Sequence, residues 1–70
     1  MSNPQPQPLA HPVQPGTRVR YIGADAAAGG VGATVDGYSA TLGQPYRYHL
    51  LVDGEADGRQ VDQSEIASAQ

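Results

Sequence analysis

Residues 46–54 read Tyr-Arg-Tyr-His-Leu-Leu-Val-Asp-Gly, the stretch that most narrows what this chain can become. Tyr46, Tyr48, Leu50 and Val52 fall on one parity, and Arg47, His49, Leu51 and Asp53 on the other. A period of two marks a strand with one face toward a core. Asp53-Gly54 and Asp57-Gly58 are hairpin signals, so Arg59–Asp62 is expected to pair back as a short strand with Val61 inside. Two other stretches repeat the pattern. In Arg18–Ile22, Val19 and Tyr21 are inward positions, and Arg18, Arg20 and Ile22 outward ones. In Gly32–Tyr38, Ala33 and Val35 face in, Thr34 and Asp36 face out, and Gly37 signals a bend or bulge. Ser64-x-Ile66 suits a short 3₁₀ turn followed by a closing stub. The expectation is an all-β fold, a small five-stranded barrel over 17–66, with a C-terminus that frays over 67–70.

What flanks the strands sets limits. Pro4, Pro6, Pro8, Pro12 and Pro15 all precede Gly16, interleaved with Gln. Such a stretch cannot bury enough apolar surface to offset its ordering entropy. Residues 1–16 are therefore expected to form a disordered, partly polyproline-II tail. Pro12-x-x-Pro15 also has the spacing of a ligand for a proline-binding domain. Roughly fifty residues remain to fold, and a core of that size contributes only ~3–5 kcal/mol of net stability. With no Cys there is neither a disulfide nor a thiolate metal site. Self-association is the remaining way to add buried surface, so a homo-oligomer is expected. No apolar run is long enough to span a membrane. The N-terminus lacks the basic and apolar regions of a secretory signal, which makes a cytoplasmic location the expectation. Abundant Ala and Gly with no Lys, Phe or Trp suggest a high-GC coding bias and hence a bacterial or phage source.

Gly16-Thr17-Arg18-Val19-Arg20, then Gly32-x-x-Val35, then the Tyr-rich strand ending Val52-Asp53-Gly54, then Val61 and Glu65-Ile66, resemble SH3-like barrels of bacterial type. The resemblance implies partner binding through loops and one strand face, and with no catalytic motif complete the expectation is a non-catalytic interaction or accessory module. The aromatic groove of eukaryotic SH3 domains has no counterpart, because Trp and Phe are absent. The opening Gly16-x-Arg18-Val19-Arg20 is also similar to that of the type II, plasmid-borne dihydrofolate reductases. That likeness implies an oligomeric, NADPH-dependent reductase. Their late strand carries Val-Gln-Ile-Tyr, whereas the matching window here is Gln60-Val61-Asp62-Gln63, without the substrate- and cofactor-binding residues.

Chemistry-bearing motifs are incomplete. Asp53-x-Glu55-x-Asp57-Gly58 matches the first half of an EF-hand loop, but Ser64 stands where the closing acid belongs and a strand precedes it. An acidic hairpin tip is the expectation. Gly29-Gly30-Val31-Gly32 lacks the Lys-Ser/Thr of a phosphate loop and reads as a flexible connection. His11 and His49 are far apart and have no Cys beside them, so no zinc site is assigned. Nothing is placed to activate Ser39, Thr41 or Ser64, so no catalytic residue, metal or cofactor is assigned. What remains is surface. Arg47, His49 and Leu51 make an outward mixed patch, and Tyr38 at a strand end is the surface aromatic. These four are the candidate partner-binding residues, toward another protein or a second copy. Arg18, Arg20 and Arg59, with Arg47, form a candidate nucleic-acid patch of a Tudor or KOW kind. The net charge of −3 opposes that reading.

Overall fold

The computed structural model describes residues 9–69. It is all-β, with strands β1 (Arg18–Tyr21), β2 (Val31–Ser39), β3 (Arg47–Val52), β4 (Arg59–Asp62) and β5 (Ile66–Ser68), and a 3₁₀ turn over Gln63–Glu65. The strands form one antiparallel sheet in the order β4-β3-β2-β1-β5, curled into a half-barrel. The expected alternation holds in β1 and β3. Val19 and Tyr21 are buried between exposed or half-buried arginines, and Tyr48, Leu50 and Val52 are buried while Arg47, His49 and Leu51 are exposed. Ala33, Val35, Val61 and Ile66 complete the inner face.

Two edge strands are held together by the 3₁₀ turn rather than by pairing with each other. Ile22 N–H donates to Glu65 O at 2.7 Å, and Gln63 N–H donates to Tyr46 O at 3.0 Å. The Gln63 side chain returns a bond by accepting from Tyr46 N–H at 2.8 Å. Asp62 caps the turn by accepting from Ser64 N–H at 3.0 Å, which satisfies an N–H that the short turn itself cannot pair. That bond is the main cause that holds the Asp62 carboxyl below its ordinary pKa.

Both ends of the packed chain differ from expectation. Of the tail expected over 1–16, residues 1–8 lie outside the described residues. Residues 9–16 are laid against the half-barrel. Val13 is 4 % exposed and belongs to the core, and Leu9 packs beside it. Gly16 N–H donates to Val35 O at 2.7 Å, which ties the segment to β2. At the other end, β5 includes Ala67 and Ser68, two of the residues expected to fray. Val19 and Arg20 pair with Ser68 and Ala67, so β5 runs to Ser68, while Gln70 lies outside the described residues. The common reason is that a half-barrel has two open ends and two edges. Apolar groups there gain burial from whatever segment can reach them.

Candidate functional site

β2 carries a bulge, and it decides which side chains share a face. Val35 is opposite Leu50, but the next pair is Gly37 with His49, so Asp36 is the extra residue. Beyond it the parity of β2 is inverted. Tyr38 is opposite Tyr48, and Ser39 is opposite Arg47. Residues directly opposite in a ladder present their side chains to the same face. Tyr38 therefore goes to the inner face and not to the outer face of Arg47, His49 and Leu51. It is still a surface aromatic, 41 % exposed. Its ring meets Tyr46 edge-on at 5.8 Å and lies 6.1 Å from Tyr48.

The outer face of β3 keeps the other three candidates together. Arg47 and His49 line a shallow concavity of ≈ 400 Å³ with Gly37, Tyr38, Ser39 and Gln60. The register explains the grouping, since Arg47 lies between Ser39 and Asp62, and His49 between Gly37 and Gln60. The bulge brings Asp36 to His49, with Oδ2 3.6 Å from Nδ1, an ion pair when the ring is protonated. The ring also lies so close over Gly58 that a Cβ there would strike Nε2. Glycine at 58 is thus part of how His49 is seated. Leu51, 45 % exposed, continues the row opposite Thr34 but does not line the concavity.

The arginines expected as a nucleic-acid patch are each engaged within the chain. Arg18 grips Asp53 through both guanidinium nitrogens, at 2.9 and 2.6 Å, and reaches Thr34 Oγ1 at 3.0 Å. That fork raises the pKa of Arg18 and lowers that of Asp53, in each case chiefly through the hydrogen bonds. Gly32 makes room for it, because a Cβ at 32 would collide with both side chains. Arg20 donates to the carbonyls of Ser68 and Gly29 at 2.8 and 3.0 Å. Arg59 donates to Asp25 at 3.0 Å and to Glu55 at 3.2 Å, with its Cζ 4.9 Å from the Tyr21 ring centroid. These bonds, Asp25 first, raise the Arg59 pKa. The trio is also split by the sheet. Arg59 is opposite buried Leu50, whereas Arg18 shares the row of Thr34 and exposed Leu51. Arg47 differs from all three. Among the described residues its guanidinium makes no hydrogen bond or close ion pair, and it acts on Asp62 only by longer-range attraction. The turn that resembled half a calcium loop is likewise divided, with Asp53 on Arg18 and Glu55 on Arg59.

The inner face ends in an aromatic cluster that the sequence pattern only half reveals. Tyr48 is fully buried. Its hydroxyl accepts from Val13 N–H at 2.9 Å and lies 2.6 Å from His11 Nδ1. One hydroxyl proton suffices for the second contact when Nε2 carries the imidazole proton. The His11 ring stacks on Tyr46, with centroids 6.2 Å apart. Burial pushes the Tyr48 phenol up from its ordinary pKa. Beside this cluster, the 40–45 turn leaves Leu42 fully exposed.

Sequence reasoning missed Gln60 and Ser39 as lining residues. Both follow from parity only once the bulge and the β3–β4 register are known. It also missed His11 and Asp25, whose partners Tyr48 and Arg59 lie 37 and 34 residues away and carry no local signal. Compared with protein-family models, with curated proteins and with solved structures, the chain matches none.

Proposed function

We propose that this chain is a non-catalytic interaction module, an SH3-like barrel that binds protein through the outer face of β3. The observation that carries the reading is the row Arg47, His49, Leu51. It holds the arginine left without an acceptor among the described residues, and it borders a concavity on a surface whose other arginines are engaged. Unspent hydrogen-bonding capacity beside an exposed apolar residue is the composition of an interface rim and anchor. The short antiparallel strands, curled and closed by a 3₁₀ turn, support the SH3-like part. Tyr38 contributes to the rim of the concavity, with its ring turned to the tyrosine cluster.

The test is affinity capture with the full chain beside an Arg47→Ala/His49→Ala/Leu51→Ala variant of unchanged circular dichroism. Partners that bind the parent and are lost with the variant are the expected outcome. Equal capture by both removes this face from the proposal. Self-association is a second reading, favoured by the sheet ending on two edge strands, β4 and β5. Light scattering that gives the mass of one chain up to high micromolar concentration would dispose of it.

A further inference from the structure

We propose that the concavity beside Arg47 and His49 binds a carboxylate carried on an extended segment of a partner protein. This rests on the interaction reading above and names the chemistry of its ligand. Arg47 offers a planar fork of donors that no group of the chain occupies among the described residues, and such a fork fits a carboxylate in bidentate fashion. Gly37 leaves the floor bare, while Ser39 and Gln60 stand on the neighbouring strands as neutral hydrogen-bonding groups. His49 lines the same space, with Nδ1 toward Asp36 and Nε2 over Gly58.

The surrounding charges select the kind of anion. Asp36 lies 3.6 Å from His49, and Asp62 is the cross-strand neighbour of Arg47. Two rim carboxylates and a net charge of −3 oppose a phosphate dianion or a nucleic-acid backbone. A singly charged carboxylate meets that repulsion at about half the strength, against one guanidinium unoccupied among the described residues. Leu51 extends the description. It lies two residues beyond His49 and four beyond Arg47 on the same face, about 6.6 and about 13 Å along the strand. An extended segment with an apolar residue two positions from its acid would seat one group on each.

The chain's own acids do not supply that segment. Asp25, Asp53 and Glu55 hold arginines, Asp36 faces His49, and Asp62 caps the 3₁₀ turn. Asp57 has Glu55 and Arg59 two positions away, and Glu65 has Gln63 and Ala67. Neither has a large apolar residue at that spacing, so the occupant is a segment of another protein.

The test is a nuclear magnetic resonance titration of the full chain with four probes. Two are blocked peptides, acetyl-Gly-Glu-Gly-Leu-Gly-amide and its Gln counterpart. The third, acetyl-Leu-Gly-Gly with a free C-terminal carboxylate, separates a terminal from a side-chain source. The fourth is inorganic phosphate. The Glu peptide is expected to shift His49, Ser39, Gln60 and the Arg47 side chain saturably, and to bind about tenfold more tightly than the Gln peptide. Arg47→Gln should remove that difference, and Arg18→Gln should keep it. Saturation by the free-carboxylate peptide in place of the Glu peptide assigns the source to a chain end and supports the proposal. Equal binding of Glu and Gln peptides, no saturation by any peptide, matching shifts from phosphate at the same concentration, or equal loss with Arg18→Gln would each overturn it. Equal binding of both peptides that Leu51→Ala abolishes would leave the interaction face standing without the carboxylate.

Discussion

Tyr21 and Tyr48 are both inward tyrosines on neighbouring regions of one sheet, yet their hydroxyls are satisfied in opposite ways. Tyr48 is tied to neutral groups of the N-terminal segment, Val13 N–H and His11 Nδ1. Tyr21 donates to the Asp25 carboxylate at 2.5 Å, and Arg59 holds that carboxylate from the other side. The Tyr48–Val13 bond is buried, whereas the Tyr21–Asp25 bond is part-buried and ends on an exposed carboxylate. A buried tie is costly to leave half-made, whereas an exposed one can be replaced by water. Each end of the half-barrel is thus closed by a tyrosine that recruits a segment. The Tyr48 end should carry more stability, and the Tyr21 end should carry more of the response to acid.

The largest expected effect comes from removing the Tyr48 ring. Tyr48→Ala should cost about 3–5 kcal/mol, as for other large buried aromatic residues, comparable to the whole stability of a domain this small. Loss of the cooperative transition in urea is the expected result. Tyr48→Phe keeps the ring but leaves Val13 N–H without its acceptor, a loss of about 1–3 kcal/mol. Tyr21→Phe should shift the urea midpoint less, because Asp25 keeps Arg59 and its freed acceptor position is open to water. Equal midpoints for the two Phe variants would break the comparison. Val13→Ala comes next, at about 1.5 kcal/mol for two buried carbons lost. Its effect should be smaller in a Tyr48→Phe background if one end holds both residues.

Acid sharpens the contrast with a definite sign. The Tyr21 hydrogen bond, with Arg59, holds the Asp25 carboxyl below its ordinary value of 3.8. Its contribution is therefore present above that value and is lost as pH falls through the lower folded one. The stability advantage of the parent over Asp25→Asn should shrink in that window, followed by urea denaturation at stepped pH. Tyr21 and Tyr48 are both raised from 10.0, the first by its bond to Asp25 and the second by burial. Stability from both should be lost as pH rises past that value, so the alkaline limb does not separate the ends. The smallest effect belongs to Gly58→Ala, which touches neither tyrosine. It should change stability by about ±0.5 kcal/mol at most while moving the His49 ring resonances, because the new methyl displaces that ring.

Legibility followed the range of the interaction. Val19, Tyr21, Tyr48, Leu50, Val52 and Val61 were readable as core because alternation is a property of a strand taken alone. Arg47, His49 and Leu51 were readable as one outer face for the same reason. Gly37 announced an irregularity in β2 but not its consequence. Which residue becomes the extra one depends on the pairing with β3, and that choice sent Tyr38 inward. The N-terminal segment misled for a related reason. Its proline-rich composition says nothing of the single Val13 and His11 that an open barrel end can capture.

The sequence by itself determined the strands and the faces that β1, β3 and β4 bury. Those properties reside in residues one or two positions apart. The tertiary structure alone decided that Arg18, Arg20 and Arg59 find acceptors while Arg47 finds none among the described residues, because those acceptors belong to other strands and turns. It also decided that the barrel end is closed by the chain's own beginning. A free arginine and a covered tyrosine are facts about what lies opposite, and registers and bulges set that only when the sheet closes.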